Sequence, residues 1–132
     1  MPVPTYIEGR VASLADVSGS ITIDQILTNN TVLYQGEELL VSQDNETTIV
    51  TSPANGVKYI TKIICTGVVN ARWDVYVNSV LAMTKRTTDR TVDFDFSTPW
   101  KIAASSVVDV KATHHGPDTT ADFVATIMGY QP

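Results

Sequence analysis

The sequence predicts an all-β protein, an antiparallel β-sandwich of about eight strands that follows an extended N-terminal arm. Three observations carry that prediction. Trp73, Val75 and Val77 alternate with Asp74, Tyr76 and Asn78, and Val92, Phe94 and Phe96 alternate in the same way around Asp93 and Asp95. Successive side chains of a strand point to opposite faces, so this alternation is what a half-buried antiparallel strand requires. Turn residues break residues 57–130 at the spacings of roughly 8 to 12 residues usual in all-β sandwiches. No helical period runs through that stretch.

Residues 1–31 are read as the arm and residues 32–132 as the sandwich domain. Pro2 and Pro4 remove ladder donors and favour an extended backbone. Beyond them Ile7, Val11, Leu14, Val17, Ile21 and Ile23 are spread thinly among Ser, Thr, Asp and Asn, too apolar for an inert tail and too irregular for a regular element. Asp24 could cap a short helical turn, but Thr28, Asn29 and Asn30 end it at once. The expectation is an arm lying on a surface, its own or a neighbour's. Those six apolar residues, together with Trp100, are the candidate partner-binding residues.

Strands are expected at residues 32–34 and 38–42 around a turn at Gln35, Gly36 and Glu37, and then at residues 46–52. Pro53, Ala54, Asn55 and Gly56 make the clearest turn, since Asn-Gly tolerates positive φ. A central strand at 57–66 precedes a hairpin of residues 71–78 and 80–85 with Asn78 and Ser79 at its tip. Residues 90–96 follow, Pro99 then interrupts pairing at an edge or corner, and strands at 107–114 and 121–128 flank a loop holding Gly116 and Pro117. Trp73, Val75, Phe94, Phe96, Val108, Val110, Phe123 and Ile127 share the inward phase.

A chain of 132 residues fits one domain, and its 43% apolar content is that of a globular protein. Charged residues reach only 17%, against roughly 25% in typical domains, so part of the surface is expected to be covered by something else. The formal charge of −5 opposes attraction to a phosphate backbone, which argues against nucleic acid as a partner. Cys65 is the single cysteine and reads as a buried small hydrophobe, so stability must come from the core and from assembly. Neither a membrane span nor a signal peptide is expected, because no apolar run of about 18 residues and no basic segment leading into an apolar one is present.

Chemistry-bearing residues are few. His114 and His115 are adjacent, so on a strand they face opposite ways and cannot both hold one ion. Asp93 and Asp95 share a face, as an acid/base pair would need, but their alternation with Val92, Phe94 and Phe96 reads as a solvated strand face opposite Lys or Arg. Asp16, Asp24 and Asp44 lack a calcium-loop spacing, and no nucleophile, phosphate-binding or zinc motif is present. The reading is therefore a non-enzyme without cofactor or metal. Trp73, Tyr76 and Trp100 could form a stacking platform for sugar rings, although Trp73 is in phase with the core and Trp100, beyond Pro99, is the freer of the two tryptophans.

The succession Val57-Lys58-Tyr59-Ile60-Thr61-Lys62-Ile63, Ala71-Arg72-Trp73-Asp74-Val75-Tyr76-Val77, Lys85-Arg86-Thr87, Asp93-Phe94-Asp95-Phe96, Val107-Val108-Asp109-Val110-Lys111-Ala112 and residues 122–130 resembles small virion structural proteins of tailed bacteriophages. The likeness is one of pattern over residues 57–130. It implies a jelly-roll-like body acting as a capsid cement (decoration) protein, or as a related tail or baseplate module. It also implies partners among the major capsid protein or other virion proteins, homo-oligomers, and a place in the virion after assembly in the bacterial cytoplasm. The reading from another class is a carbohydrate-binding module for host recognition, carried by Trp100, Tyr76 and Trp73.

Overall fold

The computed structural model describes Thr31–Pro132. The arm residues Ile7, Val11, Leu14, Val17, Ile21 and Ile23 lie outside the described residues. Eight strands make up the described part: β1 (Thr31–Ser42), β2 (Glu46–Ser52), β3 (Lys58–Thr66), β4 (Ala71–Val77), β5 (Val80–Arg86), β6 (Thr91–Ile102), β7 (Val108–His114) and β8 (Thr120–Tyr130). They form two four-stranded sheets, ordered β1-β8-β3-β6 and β2-β7-β4-β5, and every pairing is antiparallel.

The first strand pairs with the last, the second with the seventh, the third with the sixth and the fourth with the fifth. That is a long folded-over ribbon rolled so that its strand pairs alternate between two layers, the arrangement of a jelly roll. Among the described strands only β4 and β5 are joined by a tight hairpin, with Asn78 at φ 50° and Ser79 at φ 66°, the paired positive values that match the right-handed twist of the flanking strands. Pro53, Ala54, Asn55 and Gly56 do form a turn, with Gly56 at φ 130°, but it carries the chain from one sheet to the other.

The core lies between the sheets. Seven of the eight expected inward residues, Trp73, Val75, Phe94, Val108, Val110, Phe123 and Ile127, are buried, and Phe96 is half-buried against them. Trp73 of β4 meets Phe123 of β8 edge to face at 5.5 Å, which joins the two layers through one aromatic pair. Cys65 is fully buried as expected, and burial first, then the Asp93 charge, pushes its thiol well above the ordinary value, with Lys85 opposing.

Two elements depart from the sequence reading. No turn interrupts residues 35–37; β1 runs straight through them. A Cβ on Gly36 would collide with the Ile49 carbonyl oxygen, so this glycine lets β1 and β2 approach closely. Pro99 lies inside β6, which resumes pairing at Trp100 opposite Ile60 after a break in the ladder with β3. The chain tolerates it because β6 is an edge strand whose outer side carries no partner among the described residues.

Candidate functional site

The two long sides of the sandwich differ. On one side β1 and β2, each an edge of its own sheet, close against one another at Gly36 and Ile49. On the other side β5 and β6 leave a slot of about 170 Å³ lined by Met83, Thr84, Lys85, Phe94, Asp95 and Phe96. Strand register explains the opening. Met83 and Lys85 of β5 pair with Val75 and Trp73 of β4, so they occupy inward positions where large apolar residues would seal the core. Lys85 instead lays its stem over Phe94, its ammonium 5.5 Å from the ring centroid, and donates a 2.7 Å hydrogen bond to the Asp93 carbonyl oxygen.

Trp100 adjoins this slot through Phe96, on which it stacks at 5.4 Å. It is half-buried, and Val80 and Leu81 at the start of β5 are exposed apolar residues on the edge strand of the other sheet. The sequence placed Trp100 correctly as the freer tryptophan, while Met83 and the slot went unread. Nothing local marks Met83, because the opening depends on which strands end as neighbours at the rim.

A second feature lies at the opposite edge. In β1 the pairing with β8 shifts between Glu38 and Val41, where Leu39 and Leu40 stand opposite the single residue Asp122 as a bulge. Leu39 is 57% and Leu40 71% exposed, and Leu40 stands at φ 56°. A left-handed leucine costs roughly 1 to 2 kcal/mol and is an outlier for a bulky side chain. The Asp122 carboxylate holds it there by accepting the Leu40 N–H at 2.9 Å. Beside it Leu40, Gly67, Val68, Arg90, Asp118, Thr120, Ala121 and Asp122 line a polar depression of about 370 Å³. The sequence reads this segment as plain strand, since no Gly or Asn marks the positive φ.

The remaining candidates are held in local interactions. His114 is buried, donates from Nε2 to the Asp118 carbonyl oxygen at 2.6 Å, and accepts the Gly116 N–H on Nδ1 at 3.1 Å. His115 points elsewhere, 3.0 Å from the Asp44 carboxylate. No group of three metal-ligating side chains occurs among the described residues. Asp93 pairs with Lys62 at 3.6 Å, while Asp95 is exposed at the slot.

The three aromatic residues of the sugar platform are not brought together. Trp73 is fully buried, and Tyr76 has the opposite phase on the outer face of its sheet, whereas Trp100 belongs to the other sheet. Tyr76 donates to Glu46 at 3.2 Å beneath the Lys111 ammonium, 4.8 Å from its ring centroid. Desolvation first, then the charge and hydrogen bond of Glu46, hold its phenol above the ordinary value. Lys58 is the polar residue the sequence reading missed: fully buried, it donates to the Pro53 carbonyl oxygen at 2.6 Å and fixes the turn between the sheets. Its phase with Ile60 was the available signal.

The fold and these surfaces define an eight-stranded jelly roll with one sealed and one open side. A comparison with protein-family models finds no match, and a comparison with curated protein sequences finds no significant match.

Proposed function

We propose that this chain is a non-enzymatic virion structural protein of a tailed phage, a cement protein that stabilises the capsid shell by binding between capsomers. The observation that carries the reading is the open side of the sandwich, where the edge strands β5 and β6 flank an apolar slot continued by the Phe96–Trp100 stack. Unpaired strand edges and exposed apolar side chains are suited to protein contact, by sheet addition and by burial. Jelly rolls recur in viral capsid and in lectin domains, so the fold admits the reading without assigning it. The arm adds a second means of contact: 30 residues extended at about 3.3 Å each can cross a neighbouring domain, with Ile7, Val11, Leu14, Val17, Ile21 and Ile23 to bury there. The major capsid protein is the partner this reading requires, and a tail or baseplate position is the nearest rival.

The test uses the full chain with purified heads and purified tails of a phage whose genome encodes it. Saturable co-sedimentation with heads, at a fixed ratio to the capsid protein and with greater resistance of the heads to heat, is the expected result. Binding to tails alone would move the protein to the rival position. Retention on immobilised glycans with no binding to either particle would overturn the cement reading in favour of carbohydrate recognition.

A further inference from the structure

We propose that His114 is an acid-sensitive latch on the loop of residues 115–119: a proton taken up at Nδ1 releases the loop while the eight strands stay paired. The ring is fully buried, and the backbone of that loop holds both of its nitrogens. The Gly116 N–H, which can only donate, meets Nδ1 at 3.1 Å, so Nδ1 is the lone-pair nitrogen and Nε2 carries the proton given to the Asp118 carbonyl oxygen at 2.6 Å. Only this neutral tautomer satisfies both contacts. A second proton would set N–H against N–H and leave buried donors facing one another.

The ring has little room to escape this in place. A Cβ on Gly116 would stand 2.8 Å from the Val69 carbonyl oxygen and 3.1 Å from His114 Cε1, so the loop is pressed close to the ring, and Phe123 of β8 packs edge to face on it at 6.0 Å. No described carboxylate bonds the imidazole to balance an added charge. Asp118 meets it through the carbonyl oxygen, Asp122 beside Phe123 accepts the Leu40 N–H, and Asp44 is turned to His115. On β4, Arg72 is tied to Glu46 and Asp74. The loop is the part that can yield: its other side-chain ties, Gln43 Nε2 to the Gly116 carbonyl oxygen and His115 to Asp44, are part-buried and exposed. Its release would take Asp118 out of the wall of the polar depression beside Arg90. His115 acts in the opposite sense, since its protonation strengthens the contact with Asp44, but that carboxylate is 81% exposed and water screens the gain.

This inference does not rest on the virion reading, because it concerns the purified chain alone. An open loop lets the ring take a proton in water and the closed loop opposes it, so falling pH favours the open form, by up to about tenfold in the open-to-closed ratio per pH unit. The chain has two histidines, His114 and His115, and histidine is the side chain that ordinarily titrates between about pH 5 and 8. Heteronuclear NMR of the full chain across that range separates them. At the upper end the His114 ring should show the Nε2–H tautomer. As pH falls, the amides of residues 115–119 should change together with protonation of that ring, while those of Ile63, Val110 and Ile127 in the core strands hold. His115→Gln should keep the response and His114→Gln should abolish it. A ring that takes its proton while the loop signals stay fixed, or a ring and loop unchanged until the whole fold melts, would overturn the proposal. So would a response lost in His115→Gln or kept in His114→Gln. Should His114→Gln fail to fold, the titrations of the unaltered chain and of His115→Gln decide.

Discussion

Phe123 makes ring-edge contacts with Trp73 at 5.5 Å and His114 at 6.0 Å, so one side chain of β8 ties its sheet to β4 and to the end of β7. Truncation to Ala should cost about 3 to 5 kcal/mol in urea unfolding, and Phe96→Ala clearly less because Phe96 is only half-buried. Cys65 gives a pH-dependent expectation. In the unfolded chain its thiol ionises near 9.0, whereas in the folded state it keeps its proton to higher pH. The folded state then binds more protons above that point, so stability falls as pH rises past it, by up to about 1.4 kcal/mol per pH unit. Unfolding curves at rising pH should show this slope, and Cys65→Ala should flatten it. A native thiol that reacts with a chromogenic disulfide as fast as the unfolded chain does would contradict the burial. At this scale the sequence was most legible where a residue sits in a strict alternation, as Trp73 and Val75 do. It was least legible at Lys58, whose inward position is satisfied by turn carbonyls that no pattern announces.

Gly36 shows why element boundaries were harder to read than element existence. A glycine between Gln35 and Glu37 looks like a turn, yet β1 continues because the missing side chain admits the Ile49 carbonyl oxygen of β2. Gly36 does not stand at positive φ, so the freedom a turn glycine supplies is not what this position needs. The close approach predicts instead that Gly36→Ala forces β1 and β2 apart at a cost of about 1 to 3 kcal/mol, read as a lowered urea midpoint and faster amide exchange in both strands. Pro99 was read correctly as interrupting pairing at an edge, but the strand read as residues 90–96 stopped short, because β6 resumes its ladder with β3 at Trp100 beyond the break. The bulge at Leu40 left no local mark at all. Its positive φ is enforced by Asp122, a residue far along the chain, and a window of neighbours cannot show that.

Pairing the first described strand with the last sets the behaviour of the molecule as a whole. The sheets need contacts between distant parts of the chain, which local alternation cannot reveal and which make folding of such topologies slow. Eight strands, each with a partner in its sheet, are complete from Thr31 onward, so a chain beginning there should fold. It should keep a single cooperative unfolding transition. On the cement reading proposed above, binding to phage heads should weaken, because Ile7, Val11, Leu14, Val17, Ile21 and Ile23 are lost with the arm. Calorimetry and head co-sedimentation on the shortened and full chains separate the outcomes. Failure to fold would make the arm part of the sandwich. Folding with undiminished head binding would remove the arm from the contact and leave the open side around Met83, Phe96 and Trp100 as the surface that meets the capsid.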